Sequence, residues 1–302
     1  MKPHHYICIP TRFTSATLPA TWEQMQSTLQ QESGHITIDL HELQFLDPEP
    51  ANHLVLMAHL LHRLGATVRV QLPHRQHVCS YLETIGLSKN LARFATLDRS
   101  SGVPADRNAR EHNLNQRSLW PRAHSYFFEC AADGLHDTRS GFLRLRIFRE
   151  TLQNEAAFAR VTTCFLELTQ NTYDHSGERA GCVTFRLAPA ERSGQDTQVL
   201  LAITDIGIGI KASLRQAANL ADRPEDADDA TFLQLAVLPG VTRTGFSSRG
   251  RGLATVASLA DRLDIWSGAG FLSCKREQHQ AKRIAHLPGT SLRATFSIGS
   301  GA

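Results

Sequence analysis

Between His35 and Leu40 (HITIDL) apolar and polar positions alternate, the period-two signature of a strand with one covered face. Tyr6–Pro10 (YICIP) and Ala66–Leu72 (ATVRVQL) read as further strands. Between these runs the period changes. Trp22–Glu32 reads as a helix, and Pro50–Leu64 sets Leu54, Met57, Leu61 and Leu64 at helical spacing before Gly65, a natural stop. Arg75–Ile85 gives another helix, ended by Gly86. Strands separated by helices predict βαβ units and a layered sheet.

The pattern breaks from Asp98 to Asn115 (DRSSGVPADRNAREHNLN), which is polar and carries Gly and Pro, as a linker does. The aromatics Trp120, Tyr126, Phe127, Phe128, Phe142 and Phe148 that follow predict a structured connector. This gives a first domain over 1–97, a linker and connector over 98–149, and a second domain over 150–302. In the second domain Ala156–Tyr173 is the most helix-like stretch, with Ala157, Val161, Cys164 and Leu168 as an apolar stripe. Cys182–Leu187 and Val199–Thr204 read as strands, Leu253–Leu263 as a helix, Leu292–Ile298 as a last strand, and Asp222–Asp229 (DRPEDADD) as an exposed acidic loop.

Composition narrows the classes. The chain has 302 residues, 41% hydrophobic and 20% charged, enough for real cores and too little charge for wholesale disorder. A net charge of +3 argues against a polybasic nucleic-acid binder, so nucleic acid is not expected as the primary ligand. The 15 histidines are scattered without metal-ligand spacing. The six cysteines form no CxxC pair, and several lie in apolar runs, which predicts buried free thiols in a reducing compartment. The first residues lack the apolar core of a signal peptide, and no window has the roughly 20 apolar residues of a membrane span. The expectation is a cytoplasmic protein with no membrane partner.

The chemistry concentrates in the second half. Glu167 and Asn171 stand one helical turn apart on one face, with Asp174 a turn further. An amide oxygen suits Mg²⁺, a hard cation, and a carboxylate beside a phosphate can orient or deprotonate a nucleophile. Polar residues on a helix are also what a solvated face carries. Asp205-Ile206-Gly207-Ile208-Gly209 follows a strand, where the glycines admit close backbone approach and the carboxylate can accept from an exocyclic amine. Gly245–Gly252 (GFSSRGRG) opens a helix, as phosphate-binding loops do, and Gly289-Thr290 precedes the last strand. Neither GxGxxG after a first strand nor GxxxxGK[ST] occurs.

In that order, Glu167-x-x-x-Asn171, Asp205-x-Gly207-x-Gly209, Gly250-x-Gly252 and Gly289-Thr290 resemble the ATP-binding boxes of the GHKL, or Bergerat-fold, ATPases. The resemblance covers about residues 150–300 and implies an α/β sandwich binding ATP and Mg²⁺. It implies that Asn171 holds Mg²⁺, Asp205 binds the adenine amine, and Gly207 and Gly209 floor the nucleotide. Gly250 and Gly252 would belong to a lid over the phosphates, with Thr290 near the adenine. Glu167 falls where hydrolysing members and anti-sigma-factor serine kinases keep a general base, and His175 matches the Asn-x-x-x-His of the latter. A histidine kinase would need a phospho-accepting His on a long helical hairpin, whereas His112 and His124 lie in linker and aromatic contexts. The lid departs from the commonest pattern by Arg251 and Ala254, and Arg243, Arg249 and Arg251 are candidates for the γ-phosphate.

The first domain, roughly 1–95, resembles a STAS domain, as in anti-anti-sigma factors, through HITIDLHELQFL, Asp47, the long helix, ATVRVQLP and YLETIGL. It departs at Asp47-Pro48-Glu49-Pro50, which replaces the usual phosphorylatable hydroxyl; Glu49 offers a phosphate-like charge there, and a degenerate loop is the simpler reading. Together the resemblances imply ATP-Mg²⁺ binding with slow hydrolysis that switches contact with a protein partner in bacterial-type signalling. Phosphotransfer from ATP to a Ser or Thr of that partner and a non-hydrolysing ATP-gated module stay open beside it. Many GHKL proteins are homodimers, yet no dimer seam is visible in this sequence.

Overall fold

In a computed structural model describing residues 4–30, 34–99, 122–129, 155–177, 180–188, 197–215, 227–241, 252–276 and 278–298, the early alternation becomes a parallel sheet. The chain divides into two units, Met1–Tyr126 and Phe127–Ala302. The first runs β1 (His4–Cys8), β2 (Arg12–Phe13), α1 (Leu18–Leu29), β3 (His35–Asp39), β4 (Phe45–Leu46), α2 (Pro48–Arg63), β5 (Thr67–Gln71), α3 (Gln76–Thr84), α4 (Leu87–Leu91) and β6 (Thr96–Asp98). Strand order is β1-β3-β5-β6, all parallel, with β2 and β4 pairing separately. Each step moves the same way across the sheet, so right-handed crossovers put the connecting helices on one face. Ile7, Ile36, Ile38, Val68 and Val70 are buried, whereas Tyr6, Cys8 and Arg69, of opposite parity, are exposed.

Helix α2 is buried almost all round, which its apolar composition requires, and each of Leu54, Leu56 and Leu61 contributes about 1.5–3 kcal/mol by leaving water. It begins two residues earlier than its periodicity suggests. Asp47 is the N-cap and Pro48 opens the helix, a position where the missing N–H costs nothing. The Asp47–Pro50 stretch is therefore a helix start and not a degenerate loop, and Glu49 in its first turn is only 1% exposed.

His53, on α2, is fully buried and accepts from the Trp22 indole N–H at 3.0 Å. Burial drives its pKa down from 6.5 to about 3. The folded value lies below the unfolded one, so between those limits the unfolded chain binds the extra proton. Stability is complete above pH 6.5 and is lost as pH falls. Lowering pH from 7 to 5 should remove about 2 kcal/mol through this group. Urea unfolding of the wild type and His53→Gln checks this: the variant should lose much of the pH slope, and identical slopes would contradict the assignment.

Strand β7 (Arg122–Glu129) crosses the division after Tyr126, and the second unit continues with α5 (Glu155–His175), β8 (Ala180–Ala188), β9 (Thr197–Asp205), α6 (Gly209–Arg215), α7 (Asp229–Ala236), α8 (Gly252–Leu259), β10 (Arg262–Lys275) and β11 (Gln278–Ile298). Its sheet runs β10-β11-β9-β8-β7, and the β10–β11, β11–β9 and β8–β9 pairs are antiparallel. The apolar stripe of α5, with Phe165, is buried, and the helix packs on β9 and β11. Register puts Val183, Phe185, Leu201, Ile203, Leu292 and Ala294 on one sheet face, all buried. Cys182, Thr184, Ala202, Thr204, Ser291 and Asp264 share the other face and are buried too. Asp264, 0% exposed, is held by Arg262 Nε at 2.8 Å and Arg293 Nη2 at 2.8 Å.

In the first unit α1 spans Leu18–Leu29 where Trp22–Glu32 was expected, and in the second unit two elements differ more. The helix expected over Leu253–Leu263 stops at Leu259, because the Asp261 N–H donates to Thr295 and carries the chain into β10. The last strand expected at Leu292 begins at Gln278, paired with β10 through a turn at Arg276, where φ is +51. Asp228 and Asp229 are not simply an exposed acidic loop: Asp228 caps α7 by accepting from the Thr231 hydroxyl at 2.7 Å and the Thr231 N–H at 2.8 Å, which together hold its carboxyl below the usual range. Among the described residues, Cys164, Cys182 and Cys274 are buried free thiols as expected, but Cys8 is exposed and Cys79 half-buried. No helix of the described residues is long and apolar enough to cross a membrane.

Candidate functional site

Helix α5 carries its stripe into the core, and the 3.6-residue period leaves Glu167 and Asn171 on its flank, half-buried. Helix α8 packs there, antiparallel to α5. Arg160 donates to the Leu259 carbonyl at 2.7 Å and to Asp261 at 3.0 Å, fixing one end. At the other end Gly252 closes on the pair: a Cβ there would lie 2.9 Å from Glu167 Oε2 and 3.1 Å from Asn171 Oδ1. A side chain there would require the Glu167 and Asn171 side chains to shift. The positive N-terminal end of α8 thus faces a carboxylate and an amide.

Asn171 Nδ2 is buried with no hydrogen-bond partner among the described residues. Such an orphan donor costs about 1–3 kcal/mol, which a ligand oxygen placed there would return. Asp174 does not join this pair, because it accepts from Gln170 at 3.0 Å one turn away. His175 is the last residue of α5 and is half-buried. Burial pushes the Cys164 thiol up to about 12, so this cysteine, one turn before Glu167, stays a thiol and is no nucleophile.

The second cluster forms where β9 ends. Asp205 is 4% exposed and lies opposite Thr290 on β11 and Gly181 on β8. Its Oδ1 accepts from the Gly207 N–H at 2.9 Å, folding the chain into a tight turn. The turn abuts the end of α5: the Ile208 N–H donates to the Ser176 carbonyl at 2.8 Å, and a Cβ on Gly207 would overlap that carbonyl. Gly209 then opens α6. Ser267 ties these parts together. Its hydroxyl donates to the Gly289 carbonyl at 2.7 Å, accepts from the Ile210 N–H at 3.0 Å and lies 3.3 Å from the Thr290 hydroxyl.

The structure therefore gathers the sequence-derived residues in two groups on one unit: Glu167, Asn171 and Gly252; and Asp205, Gly207, Gly209 and Thr290. The end of α5 links them through Ser176. Gly250, Arg243, Arg249 and Arg251 lie outside the described residues. Sequence reasoning missed Ser267, because β10 carried no recognised strand signal; its pairing with Thr290 is a tertiary fact. Past Gly209, a cleft of about 400 Å³ is lined by Lys211, Arg215, Asp229, Ser267 and His286 among others. Asp229 there accepts from the Ala269 N–H at 2.7 Å and lies 3.8 Å from Lys211 Nζ. No protein-family model matches the chain, and no curated protein matches it significantly.

Proposed function

We propose that the second unit is a Bergerat-type domain that binds ATP with Mg²⁺ and hydrolyses it slowly, the nucleotide state switching contact with a protein partner. The first unit serves in this reading as a STAS-like module without a phosphorylatable loop. The observation that carries the proposal is the approach of Gly252 at the head of α8 to Glu167 and Asn171, whose buried amide nitrogen has no partner among the described residues. A helix N-terminus attracts phosphate, an amide supplies an oxygen for a hard cation, and a carboxylate beside them can orient a nucleophile.

In this arrangement Asn171 Oδ1 would hold the ion and Nδ2 a phosphate oxygen. Bound Mg²⁺ would neutralise phosphate charge. Glu167 would orient water and take its proton, and Asp205, with Thr290 opposite it, would recognise the base edge.

Base recognition gives the test. An Asp carboxylate accepts from the adenine amine, whereas guanine presents a carbonyl there, leaving the carboxylate unpaired. Wild-type protein should bind ATP at least about 100-fold more tightly than GTP, and Asp205→Asn, which can also donate, should narrow the gap. Calorimetric titration with both nucleotides checks this. Equal affinities in the wild type would contradict a Bergerat site.

A further inference from the structure

His41 follows β3 by two residues and His74 follows β5 by three. Those strands are parallel neighbours with Asp39 opposite Gln71, so both loops leave the carboxyl end of the sheet, where open α/β sheets place ligands. The loops are tied to each other. The Leu40 N–H donates to the Gln71 carbonyl at 2.9 Å, the His74 N–H to the His41 carbonyl at 3.1 Å, and the His41 N–H to Asp39 Oδ1 at 2.8 Å. On this frame one nitrogen of each imidazole and one Glu42 carboxylate oxygen all lie within 4.8 Å of one another.

The hydrogen bonds also set a tautomer. A carbonyl only accepts, so His74 Nδ1 carries the proton it donates to the His41 carbonyl at 2.7 Å. In the neutral ring the lone pair is then on Nε2. Histidines that bind metals are held in this way, with the other ring N–H fixed on a carbonyl or carboxylate. His41 Nδ1 and Glu42 Oε1 are 3.0 Å apart, a hydrogen-bonding distance close to the roughly 3.4 Å between two tetrahedral ligands of one zinc ion. The rings lie with centroids 4.8 Å apart and planes at 36°, and the accessible side chains of His41 and Glu42 leave room for the rotations that would close the set on His74.

We propose that His41, Glu42 and His74 form a binding site for a divalent first-row transition metal of the zinc class. Two imidazoles and one carboxylate select such ions over Mg²⁺ or Ca²⁺, which prefer all-oxygen sites. Three protein ligands leave at least one position for water. The Glu42 side chain is 65% exposed and that of His41 36%, so the ion enters and leaves without unfolding the unit. The site belongs to the first unit and does not depend on the nucleotide reading. The competing account is a surface His–Glu pair beside a tilted second ring, contributing little to stability and indifferent to metal.

Full-length protein stripped with a chelator and titrated with Zn²⁺, and separately with Co²⁺, distinguishes the two. The proposal predicts one saturable equivalent and visible Co²⁺ bands of low-coordinate type. His41→Ala and His74→Ala should each weaken this binding at least about 10-fold, and Glu42→Gln should weaken it less. His74→Gln, which keeps a donor for the His41 carbonyl but no imidazole, gives the same loss if His74→Ala misfolds by circular dichroism. Absence of saturable binding below about 100 µM would overturn the proposal, as would unchanged affinity in the His41→Ala/His74→Ala double variant. The second outcome would place the ion on other histidines.

Discussion

Glu167→Gln is expected to bind ATP within a few-fold of the wild type while losing about 10²–10⁴-fold in turnover, the usual contribution of a general base. The substitution keeps the side chain's shape beside Gly252, so the packing of α8 on α5 persists. What it removes is the proton acceptor. A base that acts on the nucleophile makes little contact with the nucleotide ground state, hence the split between binding and rate. The variant should therefore accumulate in its ATP-bound form. Single-turnover phosphate release measures this directly, and release at the wild-type rate would remove Glu167 from the chemistry and favour nucleotide as a conformational switch alone.

Asn171→Ala is expected to weaken Mg-ATP binding by at least about 10–100-fold while leaving the nucleotide-free protein as stable as the wild type, or more so. The sign follows from the orphaned Nδ2. Among the described residues this buried amide has no partner in the free protein, so its removal relieves a cost that offsets the lost packing. With ligand present the amide becomes an asset, and the stabilisation that ATP confers should disappear. Thermal unfolding with and without Mg-ATP reads both effects. A variant that unfolds far earlier when free, yet gains as much from Mg-ATP as the wild type, would make Asn171 a structural residue only.

Strong periodicity made much of the fold legible. HITIDL and ATVRVQL became β3 and β5, and the stripe from Ala157 to Leu168 became the buried face of α5. The β10–β11 hairpin was not legible. Its turn passes through Arg276 at positive φ, where an Asn-Gly or Asp-Gly pair would have announced it, and residues 275–286 are mostly basic or polar. Asp264 was hidden for a related reason: a charged residue reads as surface until Arg262 and Arg293 are seen to neutralise it. In the candidate site, Glu167 and Asn171 were legible because one helix fixes their relation. Gly252 beside them, and Ser267 beside Thr290, are meetings of distant segments that no local spacing encodes. The same holds for His41 and His74, which the order of parallel strands brings together across 32 intervening residues.

The central claim is that the second unit holds ATP with Mg²⁺ on Asn171 and Asp205. Calorimetric titration of the full chain with ATP, in the presence and absence of Mg²⁺, tests it most directly. The account predicts one site per chain, tightened by Mg²⁺ and lost in the Asn171→Ala/Asp205→Ala double variant, which should remain folded by circular dichroism. Absence of binding at millimolar ATP, or binding that survives unchanged in the folded double variant, would contradict it.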